Sequence, residues 1–145
     1  MMNGPVLALV ADGRDARFFS RAAPGAALVE LVDKHMCADP GEPARDHVPR
    51  VFDRFGGGRH GVEDHLTPHE AAEAAFLHKV AERVNQTVAR GAFEHLVLCA
   101  PPRALGILRS SMSEGSRDRI RLSIDKDLCK ETRAEIDARL TELRI

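Results

Sequence analysis

Residues Phe93 to Arg109 constrain this chain more than any other stretch, because an apolar run, a double proline and a helical repeat follow one another there without a break. Leu96, Val97, Leu98, Cys99 and Ala100 are apolar without alternation, the pattern of a strand covered on both faces. Pro101 and Pro102 end the ladder, since proline has no amide proton to donate, yet a proline in the first turn of a following helix is acceptable. Leu105, Leu108 and Met112 continue at helical spacing. A strand, turn and helix in this order deliver polar groups to the C-terminal edge of a parallel sheet, where α/β folds bind ligands. Arg103 and Arg109 are the binding groups this unit would deliver.

Composition narrows the class. With 145 residues the chain is long enough to bury one continuous core as a single domain. A formal net charge of −1 lacks the overall basic bias of a dedicated nucleic-acid binder. Cys37, Cys99 and Cys129 are odd in number and widely spaced, which suits a reducing compartment better than a disulfide framework. No apolar run approaches the roughly 20 residues that span a bilayer, and the N-terminal residues lack a basic segment followed by an apolar one. A cytoplasmic location without membrane contact is therefore expected.

The opening third reads as a meander. Val6 to Val10 is apolar and is broken at Asp12-Gly13, a hairpin signal because both residues tolerate the positive φ of a tight turn. The returning strand covers about 14–20, and a third, after Ala23-Pro24-Gly25, covers about 26–34. From Cys37 to Leu66 the pattern dissolves into prolines, glycines and arginines. A stretch of this length without periodicity is usually functional or disordered, so this loop, at about 37–66, is expected to be the mobile part. Order resumes at Thr67, where Thr67, Pro68 and Glu70 form a capping box. Ala72, Ala75, Phe76, Val80, Val84 and Val88 give the helix its apolar stripe, and Gly91 ends it.

After the second helix, a polar turn from Ser113 to Ser116 leads to the alternating strand of about 119–124, and a last helix covers roughly Lys130 to Arg144. The order β-β-β-α-β-α-β-α predicts an α/β fold with a mixed five-stranded sheet, helices on both faces and the 95–100 strand beside the first, an arrangement of the ribonuclease-H-like kind.

The opening Val-Ala-Asp-Gly-Arg-Asp-Ala-Arg-Phe-Phe, the loop Phe-Gly-Gly-Gly-Arg-His, the Phe93 to Arg109 stretch and the late Ile124-Asp-Lys-Asp-Leu together resemble the bacterial host attachment family over nearly the whole chain. That family in turn resembles the middle domain of archaeal and eukaryotic peptide-chain release factors and their Pelota-like relatives. In release factors the loop before the long helix carries Gly-Gly-Gln, whose glutamine helps expel peptide from transfer RNA. Gly57-Gly58 occupies the matching place, but Arg59-His60 follows in place of glutamine. The resemblance thus implies RNA or ribosome contact more than hydrolysis. Gly56, Gly57 and Gly58 would allow close backbone approach, while Arg45, Arg50, Arg54 and Arg59, with His60 beside them, would meet phosphates.

Other constellations are weaker. His60, His65, His69 and Asp64 fit no spaced metal signature, and His69 with Glu73 reads as a solvated pair. Asp12, Asp125 and Asp127 raise the carboxylate chemistry of a metal-dependent nuclease, although turn or cap roles suit all three better. Cys99 reads as a small core residue. No cofactor and no metal is expected. Two classes of function remain: a non-catalytic module binding RNA, the ribosome or a protein partner, and an enzyme, either a hydrolase of peptidyl-transfer RNA or a nuclease. Any effect on attachment to host cells would be indirect.

Overall fold

The computed structural model of the protein describes residues 4–38 and 66–143. The expectations placed on Arg45, Arg50, Arg54, Gly56, Gly57, Gly58, Arg59 and His60, and on the loop around them, lie outside the described residues.

Strands β1 (Val6–Ala11), β2 (Asp15–Arg21), β3 (Val29–Glu30), β4 (Met36–Cys37), β5 (His95–Cys99) and β6 (Ile120–Ile124) form one mixed sheet. Helices α1 (Pro68–Ala89), α2 (Pro102–Ser111), α3 (Glu114–Asp118) and α4 (Arg133–Glu142) complete the structure. The main path across the sheet is β3-β2-β1-β5-β6, with β4 paired to the other end of β2. Strand β5 sits beside β1, parallel and in register from Val6 with His95 to Val10 with Cys99. Every residue of β1 and β5 is buried, so their unbroken apolar runs match an interior position covered from both sides.

The pleat splits the core into two layers. Leu7, Leu9, Phe18, Leu96 and Leu98 point toward α1 and α2, while Val6, Ala8, Val10, Phe19, Val97 and Cys99 point toward Leu28, Leu128 and α4. Helix α1 starts as its capping box requires: Thr67 Oγ1 accepts from the Glu70 amide at 3.0 Å, and Glu70 Oε1 accepts from the Thr67 amide at 3.0 Å. It ends at Gly91, whose φ of 80° is the left-handed conformation that favours glycine.

The sheet has six strands, not five, because the expected third strand is broken. Asp137 Oδ2 takes the Leu28 amide at 3.3 Å and Arg133 donates to the Leu28 carbonyl at 3.1 Å, so side chains of α4 occupy backbone groups that a ladder would need. Val32–Lys34 then closes a 3-10 turn before β4. The Ser113 to Ser116 turn is likewise the start of the short helix α3, with Ser113 as N-cap. The last helix begins at Arg133, three residues later than its apolar spacing suggests, because Thr132 caps it through a second capping box.

Candidate functional site

Two parallel strands and two helix starts converge at the C-terminal edge of the sheet. The β1–β2 turn stands there, held by Asp12: its Oδ1 accepts from the amides of Arg14 and Asp15, both at 2.8 Å. Gly13 does not take the positive φ expected of it; among the described residues Gly4, Gly25 and Gly91 do. Its role is clearance. A Cβ at Gly13 would lie 2.6 Å from the Glu73 carboxylate, which reaches across from α1. Because that carboxylate ends a flexible side chain, Gly13→Ala is expected to displace Glu73 while lowering stability by no more than about 0.5–1 kcal/mol, the range of exposed ion pairs. Thermal unfolding of the variant checks this.

Glu73 is the hub of the edge. Its Oε2 lies 3.0 Å from His69 Nε2, and its Oε1 lies 3.5 Å from Arg103 Nη1, which also stands 3.7 Å from Glu70. His69 and Glu73 thus form the exposed pair that their spacing predicts. Glu70 is held below the usual carboxylate range by the Thr67 amide, with Arg103 adding to the effect. Glu73 and Arg103 rim an open cleft of about 290 Å³, lined also by Asp12, Gly13 and Arg14 over Leu77, Pro101, Ala104 and Ile107. Among the described residues, no hydroxyl, thiol or imidazole lines it. Two guanidiniums, Arg14 and Arg103, and two carboxylates, Asp12 and Glu73, stand above an apolar floor, a rim that can bond both acceptor and donor groups of a planar ligand.

Of the two arginines expected at this edge, Arg103 is there and Arg109 is not. Arg109 occupies the last turn of α2 and donates to Ser123 Oγ on β6 at 3.0 Å. Six residues along a helix place two side chains on different faces and about 9 Å apart along the axis, so one turn cannot present both.

A second group lies where β1 and β6 end. Ligand atoms of Asp12, Asp127 and Cys129 come within 4.8 Å of one another, a set that could hold a metal ion. Asp12 and Asp127 also have the local roles expected of them, since Asp127 Oδ1 accepts from the Cys129 amide at 3.0 Å. The Cys129 thiol faces the carbonyls of Val10 and Asp15 at 3.7 and 3.8 Å. Burial, then the charges of Asp12, Asp127 and Asp15, push that thiol far above its ordinary pKa, so a metal would have to displace its proton. Asp125 is exposed and not part of the set. Cys99 is fully buried in β5, and burial pushes its thiol up to about 12, as suits a core residue.

Two residues flanking 39–65 lie near this same edge. The Ala38 amide donates to the Arg14 carbonyl at 2.8 Å, and Thr67 opens the helix whose Glu73 meets Gly13.

A family model described as "Protein required for attachment to host cells" matches residues 7–140. The chain belongs to this family. No curated protein matches it. Among solved structures, the crystal structure of an archaeal translation termination factor, aRF1, shares the fold with a TM-score of 0.51 at 12% identity. The likeness covers 96% of this host attachment family chain and 38% of the factor, and at that identity it concerns the fold alone. No helix among the described residues is long and apolar enough to cross a membrane.

Proposed function

We propose that this member of the host attachment family is a non-catalytic module of release-factor ancestry, ribonuclease-H-like in its sheet, that binds RNA, most directly on the ribosome. One observation carries the reading: Ala38 bonds the Arg14 carbonyl and Thr67 caps the helix that brings Glu73 to the Arg14 and Arg103 cleft, and the sequence between them holds Arg45, Arg50, Arg54, Gly56, Gly57, Gly58, Arg59 and His60. Arginines in this part of the sequence would meet a phosphate backbone while the cleft holds a neighbouring base or phosphate. The fold likeness to a translation termination factor supports an RNA-rich partner. The absence of glutamine after Gly58 argues for contact without peptide release. On this reading the protein works in the cytoplasm, and attachment to host cells is affected indirectly through translation.

Sedimentation with ribosomes from the native lysate tests the proposal. Wild-type protein is expected in the ribosomal fraction at low salt and in the supernatant at high salt. Arg54→Ala with Arg59→Ala should weaken association and lower the dependence of log K on log salt by about 0.7–0.9 per lost phosphate contact. An unchanged slope in the double variant would remove the segment from the mechanism.

The convergence of Asp12, Asp127 and Cys129 favours a second reading, metal-assisted cleavage of RNA. Cleavage of a labelled RNA that requires a divalent cation and is lost in Asp12→Asn would select it over the first.

A further inference from the structure

The opposite edge of the sheet carries its own concentration of charge. Strand β6 is the last in the order and, among the described residues, has no outer neighbour. Four arginines flank it: Arg109 at the end of α2, Arg117 and Arg119 around α3, and Arg121 within the strand. Arg109, Arg117 and Arg121 are exposed and Arg119 is half-buried. Elsewhere Arg17, Arg21, Arg103, Arg133 and Arg139 pair with carboxylates, whereas Arg14, Arg83 and Arg90 do not, among the described residues, but stand apart in the sequence. Among the described residues, no carboxylate forms an ion pair with any of the four at this edge.

Neutral acceptors hold them instead. Arg117 donates to the Met112 and Arg109 carbonyls, Arg119 to the Gly115 carbonyl at 2.9 Å, Arg121 to His95 Nδ1 at 2.9 Å and Arg109 to Ser123. Each guanidinium has five N–H donors, so most remain for a partner while one or two fix the side chain. Among the described residues, none of these guanidiniums is ion-paired, although Glu114 and Asp118 share the short helix α3, and side-chain entropy has already been reduced, which is the preorganisation that favours binding.

The strand itself excludes one class of partner. Ile120 pairs with Leu96 and Leu122 with Val97, so Arg121 is an extra residue that bulges the ladder. A bulge and charged side chains on an edge discourage addition of another strand. We infer that the β6 edge and the α2–α3 corner form a phosphate-contacting surface for an RNA backbone, separate from the cleft. This rests on the RNA-binding reading above for its partner, and adds a second contact on the other edge of the sheet.

Fluorescence anisotropy with a labelled, unstructured oligouridine tests it, comparing wild type, R117Q/R119Q/R121Q and R117K/R119K/R121K. The glutamine triple should bind about tenfold more weakly at low salt, with a salt slope smaller by about two, at about 0.7 per phosphate on a single strand. The lysine triple, which keeps the charge, should stay within about threefold of wild type. Should the glutamine triple fail to fold by circular dichroism, R121E alone, at an exposed side chain that donates to His95 Nδ1, carries the test in the same direction. Wild-type affinity in the glutamine triple overturns the inference, and weakened binding by the Arg54 and Arg59 double variant would then leave the cleft-side reading standing. Loss of binding to polyglutamate with oligouridine binding intact overturns it in favour of an acidic protein. No binding by wild type at low salt removes both readings together.

Discussion

Phe18→Ala is expected to lower stability by about 3–5 kcal/mol, the cost of removing an aromatic ring from a packed interior. Phe18 lies in β2 opposite Leu9, is wholly buried, and belongs to the layer beneath α1 with Leu77, Val80 and Val84. Its neighbours come from a strand and a long helix that are fixed by their own hydrogen bonds, so collapse around the vacated space is limited and the cavity term persists. Against a typical total of about 5–15 kcal/mol, this removes a large share of the folding free energy. Urea unfolding should show a lower midpoint with an unchanged m-value. A loss below about 1 kcal/mol would mean that α1 is not packed on this face of the sheet.

Asp137→Ala is expected to lower stability by about 2–4 kcal/mol, somewhat less than the loss of one partner from a fully buried pair because a quarter of its side chain is accessible. Its carboxylate accepts from Arg21 Nη2 at 2.7 Å, from the Leu28 amide at 3.3 Å and from Thr141, and it pairs with Arg133 at 3.3 Å. Arg21 is itself 97% buried, its relative exposure being 3%, so the change removes a counter-charge that water cannot replace. The double change Arg21→Met with Asp137→Leu should recover part of the loss, since an apolar pair avoids desolvating two charges.

The same residue gives a pH signature. Burial pushes Asp137 up, but the Leu28 amide and Arg21 outweigh it and leave the carboxyl below its usual range. Glu30 is lowered in the same direction, chiefly by its hydrogen bonds from Arg17. A carboxylate with a depressed folded pKa contributes stability that is complete above its unfolded value, about 4, and is lost as pH falls through the folded value. Stability of the wild type should therefore fall below about pH 4, and more shallowly in Asp137→Ala.

Local signals made part of this fold legible. Thr67, Pro68 and Glu70 announce a helix start because each partner in a capping box lies within four residues, and Leu96 to Ala100 announces a buried strand because it has no polar position to expose. The third strand was misjudged because what breaks it is distant: Asp137 and Arg133 bond the Leu28 backbone from more than a hundred residues away. Gly13 suggested a positive φ, and only the approach of Glu73 gives it another purpose. Arg103 was legible as an edge residue from its place after Pro101-Pro102. Asp12 and Asp127 were legible only as separate carboxylates, since their meeting with Cys129 depends on how β1 and β6 end side by side around β5. The four arginines along β6 were visible as residues, but that they lack carboxylate partners is a property of the folded surface.

The parallel pairing of β1 with β5 has a consequence for how freely this chain can change. Val10 and Cys99 pair across 89 positions of sequence, so in the unfolded chain their meeting closes a very large loop. The entropy of closure grows only with the logarithm of loop length, and removing some 20 residues from so large a loop alters it by roughly 0.2 kcal/mol. The segment at 39–65 lies wholly inside that loop. Its length and composition are therefore nearly decoupled from the formation of the central strand pair, and insertions or deletions there can remodel what the edge recognises while the sheet keeps its register.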